Sequence, residues 1–520
     1  MFGNWLRCKA APSMGCLVLV LLLVGGCDSS PPSHIRFGVQ SLPVNFDPRY
    51  ATDAASERVN HLLYRGLVRF DQDRRAIPDL AQWSRTQPNL YRFRLLDQPL
   101  FDDGSRLGMQ DVAATYEAIL DPQKHSPHRS TLSVIEEIRV VDDTTLEFVL
   151  KRPDPFFPSY LVTGILPAGL LDSVHDFSQQ PVGSGRFRLL ERNASRLLLQ
   201  RKSDRQKIEL VLVKDPAIRV LKLLQGEIQL MQNDLSPSLV EYLSLQPEVE
   251  LSTTPGSNFT YLGFNLEDPL TADHRIREAI AHAIDREAIL HYVFHDRARP
   301  ADALFPPEHQ LADRSMKTIL YDQQHARDLL SQAGYDLQHP LRLTYKTSSD
   351  PFRLRLATII QHQLAEVGIE VVIKSYDWGT FFGDIKSGNF QLYSLTWVGI
   401  KTPDTFRYIF HSDSIPPAGA NRGRYRSQQV DRLIESAEAQ TQIEQQIFLY
   451  QQLQRHLLSE LPYVPLWYED QLVVYRHQQV AEYRATTDGN YDALEQIQWI
   501  ESHNRTETSS KSSSASAGSN

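Results

Sequence analysis

Hydrophobic positions along this chain recur with two periods. Apolar and polar residues alternate through Tyr91-Arg92-Phe93-Arg94-Leu95, and short apolar runs occupy Leu146 to Leu150, Ile208 to Val213, Leu341 to Tyr345, Ile369 to Ile373 and Phe390 to Leu395. These segments predict strands. Helical spacing lies between several of them. One helix opens near Asp273, a good N-cap, and places Ile276, Ile280, Ala283 and Ile284 on one face, with Arg275, Arg277, Glu278 and Arg286 mostly elsewhere. A second starts near Asp322, carries Ala326, Leu329 and Leu330, and stops at Gly334. A third runs from about Arg353 to Val367, stops at Gly368 and feeds the Ile369 strand. The alternation predicts a mixed α/β fold, with helices packed on a sheet in the second half of the chain.

One apolar run is of another kind. Cys16 to Val24 follows Arg7 and Lys9 and leads into Leu23-Val24-Gly25-Gly26-Cys27, a pattern that fits a cleavable export signal and resembles a bacterial lipobox. It is too short for a spanning helix, which needs ~20 apolar residues. Residues 1–26 are then a lipoprotein signal peptide, and Cys27 is lipidated, with several acyl chains giving a stable anchor. The alternative is a plain secretory peptide with an incidental Cys27. Residues 27–34 read as the lipidated cysteine and a tether, and the Ser-rich stretch 502–520 as a disordered tail. Asp28, directly after the cysteine, resembles the Gram-negative signal that keeps a lipoprotein on the periplasmic face of the inner membrane.

Composition narrows the function. At 520 residues the chain exceeds what one hydrophobic core usually serves, so two or more lobes are expected. Its 3 cysteines, Cys8, Cys16 and Cys27, all lie in the targeting segment, which leaves no disulfide, thiolate zinc site or cysteine nucleophile. The net charge of −9 grows more negative when Arg7 and Lys9 leave with the signal, which argues against a nucleic-acid partner. No GxSxG elbow, Walker A loop, HExxH or strand-to-helix GxGxxG is found, so no catalytic residue and no cofactor is assigned. His291 and His295 have i, i+4 spacing, but Tyr292-Val293-Phe294 between them supplies no Glu; neither that pair nor His411 near Asp413 is assigned a metal.

Several motifs occur together in order. The segment Phe101-Asp102-Asp103-Gly104-Ser105-Arg106-Leu107-Gly108-Met109-Gln110-Asp111-Val112, after Trp83 and the Tyr91 strand, combines a turn at Asp103-Gly104 with a helix beginning at Asp111. It closely resembles the signature of family 5 extracellular solute-binding proteins, the oligopeptide, dipeptide and nickel receptors of ABC importers. Asn45-Phe46-Asp47-Pro48, Tyr64, Gly66-Leu67, the turn Pro181-Val182-Gly183-Ser184-Gly185 and Gly226-Glu227-Ile228 resemble further family segments. So do Phe264-Asn265, Asp273 to Ile280, Ala283 to Arg286, Tyr425 with Val430 to Ile434, and Pro462 to Leu466. The resemblance covers about residues 36 to 500.

It implies a two-lobed periplasmic-binding-protein fold, a Venus flytrap with an enlarged first lobe and two hinge crossings. The first lobe would comprise residues 35–254 and return over 471–501, with the second lobe at 255–470; Pro255 to Asn258 and Trp467 to Gln471 lie near the crossings. The implied role is capture of a short peptide or peptide-like solute by a monomer, without chemistry on it, and delivery to ABC permease subunits. Alternatives are a non-peptide cargo such as an anionic solute or metal chelate, an envelope scaffold or chaperone, and a lipid-anchored hydrolase for which no nucleophile-base pair is found.

In the family's peptide-binding members a segment resembling Thr396-Trp397-Val398-Gly399-Ile400 places an Asp, which pairs with the ligand's α-ammonium, where this chain has Ile400. Asp404 is the nearest replacement, or else it caps a helix carrying Phe406, Ile409 and Phe410. Arg422 and Arg424 fit bidentate pairing with a ligand carboxylate, or ion pairs with Asp413 or Asp431. Trp397 and Tyr425 fit apolar walls of a site, or core packing. Val398, Asn258 and Tyr261, near the cleft and the first crossing, complete the candidate ligand-binding set.

Overall fold

A computed structural model describes residues 34–71 and 74–500. The signal, Cys27 and the Ser-rich tail lie outside the described residues, as does all of the tether except His34. An 11-stranded mixed sheet runs through the molecule. Its central members are two long strands, Glu250–Phe264 and Tyr463–Tyr475, which pair antiparallel from Glu250 opposite Tyr475 to Gly263 opposite Tyr463. At one end, Leu230–Gln232 joins Tyr463–Tyr475 and leads to Ile35–Val39, Lys207–Leu212, Arg196–Arg201 and Phe187–Arg192. At the other end, Leu392–Trp397 joins Glu250–Phe264 and leads to Leu341–Ser348 and Ile369–Tyr376. Two lobes are thus sewn together by two paired strands.

The pairing is interrupted between Thr254 and Asn258. Pro255 has no N–H to give a ladder, and a Cβ on Gly256 would stand 2.0 Å from the Glu469 carbonyl oxygen, so the backbones approach closely only because position 256 is glycine. Across this irregularity the Gly256 N–H donates to the Asp470 carboxylate at 3.2 Å.

Between the first two strands of the sheet's first end, the chain inserts a separate antiparallel sheet, Ala81–Gln87, Leu90–Leu95, Thr145–Leu150 and Ile135–Asp142. Its apolar face holds Phe93 and Phe148 against Tyr116 of the helix Met109–Leu120. That helix starts two residues before the position the sequence suggested. Asp111 sits in its first turn, and its carboxylate accepts the N–H groups of Gly108 at 2.8 Å and Ala168 at 2.7 Å. In the turn Pro181 to Gly185, a Cβ on Gly183 would meet the Leu63 carbonyl at 1.9 Å, which explains glycine there.

The second lobe follows the sequence pattern with one correction. Asp273 caps His274–Ala283, but the chain breaks at Ile284 and restarts as Arg286–Tyr292 under a new cap, Asp285. Arg277 and Arg286 are buried, not outward-facing, because backbone carbonyls take their guanidinium protons: Thr271, Ala272, Glu460 and Leu461 for Arg277, and Ala301, Ile319 and Pro465 for Arg286. The restart also places His295 beyond the helix, with φ +51°, so His291 and His295 share no helical face. Gln323–Gln332 and Pro351–Ala365 form under caps Asp322 and Asp350, and Gly334 and Gly368 follow them with positive φ.

Candidate functional site

A cavity of about 270 Å³ opens between the lobes. One wall comes from the first helix, Ala54–Leu63, through Glu57, Arg58, Asn60 and His61, joined by Tyr64, His128, Tyr160, Gly164, Asp488 and Asn490. The facing wall is the loop after the Leu392–Trp397 strand: Val398, Gly399, Lys401 and Thr402. Gly399 has φ +73°, which lets this loop turn sharply as it leaves the sheet.

Lys401 and Asp488 meet across the cavity at 2.9 Å. Burial alone would raise the Asp488 carboxyl, but the Lys401 charge, with hydrogen bonds from Thr486 and the Asn490 N–H, holds it well below the usual carboxylate range. Burial, with the Lys401 charge beside it, lowers His61 from its ordinary value and favours the neutral imidazole. The wall therefore combines an ion pair, a neutral imidazole, a second acid and base in Glu57 and Arg58, and the Tyr64 and Tyr160 rings.

Arg74 ties the surroundings together. Its buried guanidinium donates to the Ile400 carbonyl at 3.0 Å, to Thr487 Oγ1 at 3.3 Å and to Ser257 Oγ. A single side chain thus reaches the loop of the second lobe, the return segment of the first, and the crossing itself.

A family model of the bacterial extracellular solute-binding proteins, family 5 Middle, matches residues 75–416. The chain belongs to this family. It is 27% identical over 495 residues to the di/tripeptide-binding protein 2 of Pseudomonas aeruginosa, covering 86% of this chain and 92% of the relative. DppA from Helicobacter pylori in complex with peptide STSA superposes with a TM-score of 0.74 at 25% identity, over 90% of this chain and 98% of that one. NikA from Brucella suis in complex with Fe(III)-EDTA shares the fold at 19% identity, TM-score 0.81, over 90% of this chain and 99% of that one. Family 5 membership makes the chain an extracellular solute-binding protein of two lobes. Among the described residues no helix is long and apolar enough to cross a membrane.

In this family 5 chain five of the residues singled out from sequence fall in three places. Val398 lines the interlobe cavity. Trp397, Arg422 and Tyr261 form a separate cluster in the second lobe: the Arg422 guanidinium lies 4.4 Å from the Trp397 ring centre and 5.3 Å from that of Phe382, and it reaches the Tyr261 hydroxyl at 3.4 Å. Asn258 sits at the crossing opposite Glu469, with its side-chain oxygen buried and unpartnered among the described residues.

The others point elsewhere. Tyr425 is buried in the core, its N–H and carbonyl both bonded to the Asn421 amide. Arg424 pairs with Glu267 at 3.5 Å and with the Lys386 carbonyl, rather than with Asp413 or Asp431. Asp404 is half-buried in the first turn of the helix Asp404–Phe410, takes the Thr402 hydroxyl at 2.5 Å, and does not line the cavity. Burial raises its carboxyl. Ile400 is itself buried, 6% exposed, so no counter-charge stands at that position.

The cavity's charged groups, Lys401 and Asp488, are not among the residues the sequence singles out. Lys401 is the residue after Ile400, in a segment whose sequence signal lies in Trp397, Val398 and the missing acid, and Asp488 lies in the return segment of the first lobe. Thr486-Thr487-Asp488-Gly489-Asn490 is a strong turn signal, which marks a loop but not its place beside the second lobe.

Proposed function

We propose that this protein is the substrate-binding component of an ABC importer, capturing a short peptide or peptide-like solute between its lobes and delivering it to permease subunits. The observation that carries this reading is the cavity with Lys401 and Asp488 facing each other across it. Its volume is near the lower end of the ~300–1,000 Å³ range of small-molecule pockets, which favours a small solute. Its charges suit a zwitterion. Asp488, from the return segment, supplies the counter-charge that Ile400 does not, and Lys401 offers a partner for a carboxylate. A free peptide entering the cavity exchanges the internal ion pair for two ligand ion pairs, so desolvating each charge is compensated.

Ligand contacts on both lobes favour the closed form, and a permease that prefers that form receives loaded protein selectively. A lipid at Cys27, with Asp28 directing the protein to the periplasmic face of the inner membrane, raises its effective concentration near the permease. The relative named for di- and tripeptides supports the peptide class. A second reading, an anionic solute without a free amine, is favoured by Ile400 alone.

Native mass spectrometry of protein purified with its endogenous ligand tests the proposal. Bound masses matching di- or tripeptides are expected. A bound acid with no amino group establishes the second reading instead, and protein that carries no ligand and takes up none when peptide and organic-acid mixtures are added contradicts capture between the lobes.

A further inference from the structure

Glu278 and His282 lie one turn apart on the helix His274–Ala283, and His325 lies in the first turn of the neighbouring helix Gln323–Gln332. One carboxylate oxygen and one nitrogen from each histidine all lie within 4.8 Å of one another. His325 Nε2 is 3.9 Å from the Glu278 carboxylate, and the two imidazoles meet edge to face with centres 4.7 Å apart. None of the three residues lines the interlobe cavity.

The orientation of His282 supplies a second, independent observation. Its Nδ1 stands 2.7 Å from the Leu320 carbonyl oxygen. A carbonyl only accepts, so Nδ1 carries the proton and the lone pair of the neutral ring sits on Nε2. A backbone carbonyl fixing one ring nitrogen while the other is left free is the arrangement of metal-ligating histidines. Leu320 also precedes Asp322, whose N–H donates to the His282 carbonyl at 2.9 Å and whose carboxylate caps the helix bearing His325. The segment that orients His282 thereby also positions His325. His274 borders the group, with Nδ1 3.6 Å from the other Glu278 oxygen and Nε2 bonded to the Ser459 carbonyl at 2.7 Å.

We propose that Glu278, His282 and His325 form a divalent transition-metal site on the second lobe, suited to zinc, outside the solute cavity. Two imidazoles and one carboxylate match the donor set of a three-ligand zinc site with an open fourth position. Tetrahedral ligand atoms about 2.0–2.2 Å from the ion require the donors to close by less than the width of an atom. That movement is available because all three side chains are at least partly exposed. A bound ion ties the two helices together across a segment whose connection runs through 284–322, so it stabilises the second lobe by mass action.

The test is isothermal titration of tag-free, chelator-treated full chain with ZnCl2, on wild type and on Glu278→Gln, His282→Ala, His325→Ala and, as a control, His362→Ala, an exposed histidine elsewhere on the second lobe. Wild type and His362→Ala are expected to take up one equivalent with equal affinity. Loss of an outer-shell partner alone costs about 10–100-fold in metal affinity, so His282→Ala and His325→Ala should each weaken binding at least tenfold. Zn2+ should also raise the melting temperature of wild type and not of His325→Ala. Unchanged affinity in His282→Ala and His325→Ala, or no uptake by wild type, overturns the proposal; metal-free melting curves of the variants report their folding independently.

Discussion

Lys401 Nζ and the Asp488 carboxylate lie 2.9 Å apart, one on the loop after the Leu392–Trp397 strand of the second lobe and the other on the chain's return to the first. This contact joins a loop of the second lobe to the return segment of the first. It also places opposite charges in a cavity walled by both lobes. Its consequences for stability, acidity and binding can be measured separately.

Removing one member leaves the other desolvated and unpaired. Because the two side chains keep 21% and 15% of their surface exposed, the cost falls below the ~3–5 kcal/mol of a fully buried pair, and Lys401→Met or Asp488→Asn is expected to cost about 1–2 kcal/mol. The double variant should cost less than the sum of the singles. Thermal or urea unfolding in the absence of ligand gives the cycle, and strict additivity would show that the two groups do not interact.

Asp488 also predicts an acid limb. A carboxyl depressed in the folded state contributes stability that is complete above its unfolded value of about 3.9 and is lost as pH falls through the depressed folded value. Asp488→Asn should therefore flatten the loss of stability of wild type below about pH 4. Urea midpoints measured between pH 3 and pH 7 decide this; parallel curves for the two proteins contradict it.

Asp154 predicts the opposite slope. Burial pushes its carboxyl up to about 6, against the hydrogen bond from the Phe156 N–H and the more distant charge of Arg152. An acid raised in the folded state binds its proton more tightly there, so its contribution is present below about pH 4 and is lost as pH rises toward 6. Asp154→Asn, which keeps an acceptor for Phe156, should stabilise the protein at pH 7.5 by about 1–3 kcal/mol and leave it unchanged at pH 4. Equal effects at both pH values would show that burial does not raise the carboxyl in the folded state.

Arg74 spans the loop, the return segment and the crossing, and lysine has neither the reach nor the fork to make all three contacts. Arg74→Lys should lose about 1–3 kcal/mol of stability and speed ligand release, because the Ile400 loop is no longer held. Dissociation rates by stopped-flow fluorescence check it, and an unchanged rate would assign Arg74 a purely structural part.

Much of this architecture was written locally. Asp273, Asp322, Gly334 and Gly368 are caps whose chemistry needs no tertiary context, so they marked helix ends correctly. Arg277 and Arg286 went against the pattern because their partners are carbonyls from distant segments, which charge alone does not disclose. The site is less legible in the sequence for the same reason. Val398 and the missing acid at Ile400 follow from one short motif, whereas Lys401, Asp488 and Arg74 become neighbours only when the first lobe returns after the second. Asp404 is the acid nearest Ile400 in sequence, but it begins a helix and does not line the cavity.

The most direct measurement is calorimetric titration of wild type and Asp488→Asn with a panel of di- and tripeptides, each offered with a free and with an acetylated amine. Capture of a zwitterion between Asp488 and Lys401 predicts that wild type prefers the free amine by at least tenfold and that Asp488→Asn loses that preference. Equal binding of free and acetylated peptides by wild type, or a preference that survives in Asp488→Asn, would contradict it.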